Sequence, residues 1–264
     1  MYSFDYQRPA DRAAAAAAIQ GDARYLAGGQ TLIQAMKLRL SSAERLVDLG
    51  AIADLKGITV AGNTVTIGAM TPHAEVARSA AVRGAIPALA ELAGSIGDAM
   101  VRNQGTIGGS VANADPAADY PAGLLALGAT VNTDRRSIAA DDFFTGMFET
   151  ALQPGELIVS VAFPAAQKAA YAKFKQPASR FALVGVFVAQ TAGGVRVAAT
   201  GCKGSVYRVA ELEAALAKSF TPEAAKAVQL SPAGFNADLH ASAEYRAAML
   251  GVMAARAVAA ANAR

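Results

Sequence analysis

The sequence predicts an α+β protein in two parts: an N-terminal α/β domain built from two pieces, then a smaller C-terminal domain with a three-stranded antiparallel sheet and helices. Three observations point there. Residues 24–49 read as strand, glycine turn, helix, strand, which is the outline of a parallel βαβ unit. The composition changes just after Pro164. Three strand-like runs and then a helical C-terminus follow that change.

In chain order, residues 10–19 are alanine-rich and helical in pattern. Residues 24–27 form a short apolar run bounded by Asp22 and by Gly28-Gly29, a strand entering a tight turn. Apolar positions at Leu32, Ile33, Met36, Leu38 and Leu40 predict a helix over 31–40, with Thr31 where an N-cap belongs. Residues 45–49 look like the return strand. Two strand-like pieces around Gly62-Asn63 within 58–70 give a hairpin. Residues 73–92 read as mostly helical, broken at Gly84 and restarting at Pro87. Residues 94–121 have many glycines and little helical periodicity. A helix resumes at 124–128, and strands follow at 130–133 and 157–163.

Residues 165–170 read as a linker, which sets a domain boundary near 165 and divides the chain into 1–165 and 166–264. The first domain subdivides into about 1–55 and 56–165. Beyond the boundary, 171–175, 181–190 and 195–202 are strand-like, 209–218 and 222–228 helical, and 243–261 a last helix. No repeat of 20–50 residues is visible.

Composition narrows the function. Of the 264 residues 53% are hydrophobic and 17% charged, which fits a chain with a buried core rather than a disordered one. The net charge is +3 with scattered basic residues, so the basic, aromatic-rich face of a nucleic-acid groove is missing. One cysteine, Cys202, and two distant histidines, His73 and His240, rule out an intrachain disulfide and an iron–sulfur cluster held by this chain alone, and argue against a structural zinc site. The longest apolar run, 181–189, falls short of the ~20 residues of a membrane span, and no signal peptide is visible. A cytoplasmic location is expected.

The strongest local signal is a pair of glycine segments. One is Ala27, Gly28, Gly29, Gln30, Thr31 and Leu32; the other is Thr106, Ile107, Gly108, Gly109 and Ser110. Adjacent glycines beside a hydroxyl residue let backbone N–H groups approach an anion, and a helix start adds its positive end. Each charge-assisted hydrogen bond so formed is worth about 1.5–3 kcal/mol. The same segments also suit plain turns and close packing, and neither is a dinucleotide fingerprint or a Walker loop. Asp115 and Asp119, just past the second segment, suit either hydroxyl-bearing ligands or helix capping. His73 reads as a structural imidazole and Cys202 as a packed thiol. No arrangement suggests a catalytic nucleophile.

At these segments the sequence resembles the FAD-binding subunit of the xanthine dehydrogenase and carbon monoxide dehydrogenase family. The likeness runs through AGGQTLIQAMKLRL (27–40), IGAMT (67–71), VRNQGTIGGSVANADPAADYPAGLLAL (101–127), DFF (142–144), ELI (156–158) and LHASAEYR (239–246). It implies a PCMH-like two-part domain and one noncovalent FAD. The residues 27–32 and 106–110 would hold its pyrophosphate and Asp119 would lie on the ribityl side. Ile158 and Lys175 would stand on the isoalloxazine side, with Phe181 as a nearby ring contact. Where many relatives have asparagine after TIGG, this chain has Ser110, which still offers a hydroxyl.

The resemblance further implies partners: a large subunit with the molybdenum cofactor and a small subunit with two [2Fe–2S] clusters, in a dimer of heterotrimers. Electrons would run from molybdenum through the clusters to FAD and on to an external acceptor, with no catalytic residue on this chain. The alternative is a self-contained flavin oxidase of the vanillyl-alcohol oxidase type. That would need its own substrate domain and often a covalent histidine or cysteine link, against which the short C-terminal part and scarce histidines argue.

Overall fold

A computed structural model describes residues 1–264. The first layer contains β1 (Asp5–Gln7), α1 (Arg12–Ala18), β2 (Ala23–Leu26), α2 (Leu32–Lys37) and β3 (Arg45–Asp48). Its sheet has the order β1-β3-β2 with both pairings parallel, so the expected βαβ unit is present. β1 escaped the sequence reading because Asp5, Tyr6 and Gln7 are all exposed and carry no apolar alternation. α2 stops at Lys37, short of the expected 40. Arg39 takes a left-handed φ of 60°, and Leu38 and Leu40 are left exposed.

The second layer is a five-stranded antiparallel sheet. Its strands are β4 (Ile58–Ala61), β5 (Thr64–Gly68), β6 (Thr130–Thr133), β7 (Ser137–Ala139) and, after a small hairpin of β8 (Phe144–Gly146) and β9 (Glu149–Thr150), β10 (Ile158–Pro164). Their order is β4-β5-β10-β6-β7. The hairpin turns at Gly62, where φ is +56°, with Ala61 opposite Thr64.

Between β5 and β6 the chain is helical: α3 (His73–Arg78), α4 (Ala80–Ala85), α5 (Pro87–Gly94), α6 (Ala99–Gln104), α7 (Ile107–Asn113) and α8 (Tyr120–Leu127), with the four-residue α9 (Ala140–Phe143) after β7. The break expected at Gly84 falls instead at Ser79, whose hydroxyl accepts the Val82 N–H and starts α4. Residues 94–121, read as aperiodic, hold two short helices and the start of α8. Asp98 and Thr106 nucleate α6 and α7 by accepting the N–H of Val101 and of Gly109, a capping signal stronger here than glycine's low propensity.

The third layer is a sheet of β11 (Lys168–Lys175), β12 (Ala182–Thr191), β13 (Gly194–Thr200) and β14 (Tyr207–Arg208), with α10 (Ala210–Lys218), α11 (Pro222–Ala227) and α12 (Ala243–Asn262). It is four-stranded and antiparallel, one short strand more than expected. Half of the expected linker is strand: β11 begins at Lys168, with Ala169 and Ala170 buried in the sheet, because alanines give no visible alternation.

β12 is the shared wall of the molecule. Successive side chains of a strand face opposite sides. Val184, Val186 and Val188 therefore join a core with Leu212, Leu250 and Met253, while Phe187 and Ala189 join the core containing Leu89, Leu124, Val131 and Val161. This explains the apolar run at 181–189 without any membrane. α8 is buried on every side because it lies between β10 and the third-layer strands β12 and β13. No helix is long and apolar enough to cross a membrane.

The LHASAEYR segment has a structural task. Buried Arg246 donates from Nη1 to the carbonyls of Leu183 (2.7 Å) and Gly201 (2.9 Å), and from Nη2 to Asp238 (2.7 Å). Arg246→Ala strands both carbonyls, at about 1–3 kcal/mol for each buried unsatisfied group. Chemical denaturation should register that loss, and unchanged stability would refute the assignment.

Candidate functional site

The two glycine segments meet. A Cβ on Gly28 would stand 2.1 Å from the Gln104 carbonyl oxygen and 2.8 Å from Gly105 Cα, so only glycine permits this backbone approach. A Cβ on Gly109 would lie 3.3 Å from that of Ala27, and one on Gly108 would collide with Ala69 at 2.5 Å. The junction borders a cleft of about 430 Å³ between the first and second layers, with Phe181 of the third layer at its side.

Ala27, Gly28, Gly29, Gln30, Thr31, Leu32, Thr106, Gly108, Gly109, Ser110, Asp119 and Ile158 all line this cleft, as does Phe181. Two expected residues do not. Ile107 is wholly buried in the core beneath α7, and Lys175, at the end of β11, borders a different pocket. A residue inside a helix turn must face inward when its neighbours face the cleft, which is why the contiguous segment 106–110 is interrupted.

The two segments are unequal as donors. In the first, none of the five backbone N–H groups from Ala27 to Thr31 donates to any protein acceptor. Gly29 has a φ of +68°, so this bend is one that L-residues rarely adopt. Thr31 precedes α2 but its hydroxyl makes no capping bond. In the second segment every N–H from Ile107 to Ser110 is engaged. Ile107 donates to Thr71 O (3.2 Å) and Gly108 to Ala69 O (2.8 Å), Gly109 to Thr106 Oγ1 (3.1 Å) and Ser110 to Thr106 O (3.1 Å). The first two of those bonds weld α7 to the chain after β5, where Pro72 and Thr106 form a bridge, and the other two close the helix's own first turn. The side chains of Gln30, Ser110 and Asn113 have no partner inside the protein.

Asp119 does not cap α8. Its Oδ1 accepts the Tyr171 hydroxyl at 2.5 Å and its Oδ2 the Lys173 ammonium at 3.1 Å, with the Asp119 and Lys173 side chains both nearly inaccessible. Burial pushes this carboxyl upward, against the pull of the Lys173 ammonium and the Tyr171 hydroxyl. Asp115 accepts the Ala117 N–H at 2.8 Å and closes a local turn. His73 lies on the cleft floor, its imidazole pushed down to about 4 by burial and, secondarily, by Arg102. Its Nδ1 and the Tyr120 hydroxyl are buried without partners, the two rings 5.4 Å apart. Cys202 is fully buried, its thiol pushed up to about 12, and packs as a small hydrophobe.

Several functional neighbours were missed. Lys173 shares one face of β11 with Tyr171 and Lys175, and the period of two could have flagged it. Met70 and Leu152 left no periodic signal, since loops deliver them. Leu152 is held near the cleft by Glu156, whose buried carboxylate accepts from Arg136 (3.0 Å to each oxygen), Thr133 Oγ1 (2.8 Å) and Gln153 N (2.7 Å).

A model of the FAD binding domain in molybdopterin dehydrogenase matches residues 2–166. The chain belongs to this family. It is 36% identical to the carbon monoxide dehydrogenase medium chain of Hydrogenophaga pseudoflava, with 99% of this chain and 98% of that protein covered. The reconstituted CO dehydrogenase from Oligotropha carboxidovorans superimposes with a TM-score of 0.91 at 36% identity, covering 100% of this chain and 99% of the other. Quinoline 2-oxidoreductase from Pseudomonas putida 86 follows at 0.90 and 27%, covering 98% and 97%. The molecule is thus an FAD-binding oxidoreductase subunit of the molybdenum hydroxylase type. The cleft suits that cofactor: a diphosphate needs N–H donors, and the residues 27–31 that line the cleft have five amides without a protein acceptor.

The Arg136 contact and the other donors hold the Glu156 carboxyl down to about 2, against an ordinary 4.5. Below the ordinary value the unfolded chain takes the proton first. The stability this carboxylate contributes is therefore full above about pH 4.5 and declines as pH falls toward about 2. Glu156→Gln should flatten that acid limb in thermal melts, and an unaltered limb would count against the network. Lys173→Met strands a buried carboxylate at a cost of about 3–5 kcal/mol, readable in denaturant midpoints, while Tyr171→Phe costs about 1–2 kcal/mol.

Proposed function

We propose that this chain holds one noncovalent FAD and relays electrons from the [2Fe–2S] clusters of a small partner subunit to an external acceptor, while a large partner subunit carries the molybdenum cofactor and the substrate. The observation that carries this reading is the set of free N–H groups from Ala27 to Thr31 at the cleft. They would take the diphosphate. The segment 106–110 would shape the opposite side, with the start of α7 and the Ser110 hydroxyl turned to the cleft.

Asp119, oriented by Tyr171 and Lys173, would accept hydroxyl donors of the ribityl side. Ile158 and Phe181 would border the isoalloxazine side, and Lys175 would reach it from the neighbouring pocket. Bound FAD supplies the redox chemistry, accepting electrons singly from a cluster and releasing them to the acceptor. The chain's own residues bind, orient and shield; no general base is required of them. Residues 1–165 would form the FAD-binding domain and 166–264 the flavoprotein C-terminal domain. The assembly would be a cytoplasmic dimer of heterotrimers.

Support for partners comes from the relatives, which are named as medium chains and subunits. They match nearly end to end at this size, which disfavours a self-contained oxidase with its own substrate domain. Acid precipitation should release all the yellow colour; pellet-bound flavin would instead point to a covalent oxidase.

The decisive test is Gly28→Ala in the purified assembly. Its Cβ would push the two segments apart, so flavin content should fall to a small fraction of the native level. Gly251→Ala, in open space on α12, should retain full flavin. Equal flavin in both variants would overturn the site.

A further inference from the structure

The imidazole of His73 stands behind the joint of the two glycine segments. Its backbone N–H donates to Gly105 O (3.0 Å), and the adjoining residues Pro72 and Thr106 are bridged. A Cβ on Gly105 would lie 2.7 Å from His73 Nε2 and 3.0 Å from its Cδ2. This edge of the ring therefore packs against Gly105, the residue that Gly28 approaches. His73 lines the cleft although only 5% of it is exposed. Neither ring nitrogen has a protein partner. Nδ1 is sealed in, as is the Tyr120 hydroxyl, on rings whose centroids are 5.4 Å apart; Nε2, on the edge beside Gly105, is not sealed.

An enclosed polar atom without a partner is costly, and these two are complementary. Burial, and secondarily Asp119, hold the Tyr120 phenol far above its ordinary value, so it stays protonated and has a hydrogen to donate. Burial, and secondarily Arg102, push the imidazole down to about 4. A neutral ring has one lone pair and one N–H. Tyr120 is therefore the donor and Nδ1 the acceptor, by direct approach or through one enclosed water. Which ring nitrogen carries the proton is set by the bond the other makes. That leaves the proton on Nε2, at the cleft.

The cleft has use for such a donor. Arg24 is the one arginine or lysine in its lining, against the carboxylates of Asp115, Asp119 and Glu156. Arg24 is itself half-exposed and donates from Nη1 to Ser41 Oγ (2.9 Å). Charge does little to draw an anion here, so N–H groups must do it.

We propose that His73 is a further FAD-binding residue, its Nε2–H donating to the diphosphate, and that Tyr120 is the positioning residue that fixes this tautomer. The inference rests on the functional reading above, which sets the diphosphate at the two glycine segments.

The chain has only two histidines, so nitrogen NMR spectra of the full chain, labelled in its histidine rings and saturated with FAD, are simple to read. His73 should show a protonated Nε2 and an unprotonated Nδ1, with exposed His240 as the solvent-averaged reference. Tyr120→Phe should mix the two tautomers of His73. The opposite tautomer in the native chain, or an unchanged spectrum in Tyr120→Phe, overturns the proposal without recourse to any His73 variant.

Affinity gives the second readout. An asparagine amide reaches the place of Nδ1, and a glutamine amide that of Nε2. His73→Asn should weaken binding of FAD and of ADP about tenfold or more, the loss of one charge-assisted hydrogen bond. His73→Gln should keep most of both. Riboflavin, which lacks the diphosphate, should bind all three chains alike. Equal losses in the two variants would mean packing alone, and a loss for riboflavin would move the contact to the flavin ring; either overturns the proposal. FAD bound equally by all three chains sinks this inference only, whereas a native chain that takes up no FAD sinks the functional reading as well.

Discussion

The whole arrangement depends on one close approach, that of Gly28 to the backbone of Gln104 and Gly105. Two chain segments 76 residues apart cannot come so near if residue 28 carries a Cβ. From this contact follow the line of the cleft, the exposure of the Ala27–Thr31 amides and the direction of α7. Leaving several N–H groups without acceptors is unfavourable in a folded chain unless solvent or a ligand takes them. The bend is therefore suited to an anion, and the chain belongs to an FAD-binding family.

The second segment contributes differently. Its amides complete the protein's own hydrogen bonds to Ala69, Thr71 and Thr106, so it is a rigid abutment rather than a second set of free donors. Rigidity on one side and free donors on the other is a workable division, since a cofactor held by flexible amides alone would lose affinity to ordering. Lys173 and Tyr171 extend the same logic to Asp119: the third layer reaches across to fix an acceptor supplied by the second. The C-terminal layer thus supports the cleft from outside and contributes Phe181 to its lining.

Much of this was legible in the residues. The βαβ unit, the hairpin at Gly62, the three long C-terminal strands and the two glycine segments that line the cleft follow from glycine turns, capping residues and alternation. The failures share a cause. β1 is polar, the start of β11 is alanine, and α6 and α7 are short helices begun by a cap rather than by a stripe of apolar residues, so none shows a period. Ile107 lies beneath the cleft rather than in it because a contiguous motif is not a contiguous surface, and Lys175 borders the neighbouring pocket.

The sequence alone determined the local chemistry: which bends could expose amides, which strands could form, that no iron–sulfur cluster could be held here, and, through ordered motifs, the family. Only the tertiary structure decided which of those amides remain unpaired, and which carboxylate is bonded by Lys173 rather than capping a helix. The reason is that hydrogen-bond satisfaction and burial belong to pairs of segments. No single segment carries that information until the chain has brought its partners together.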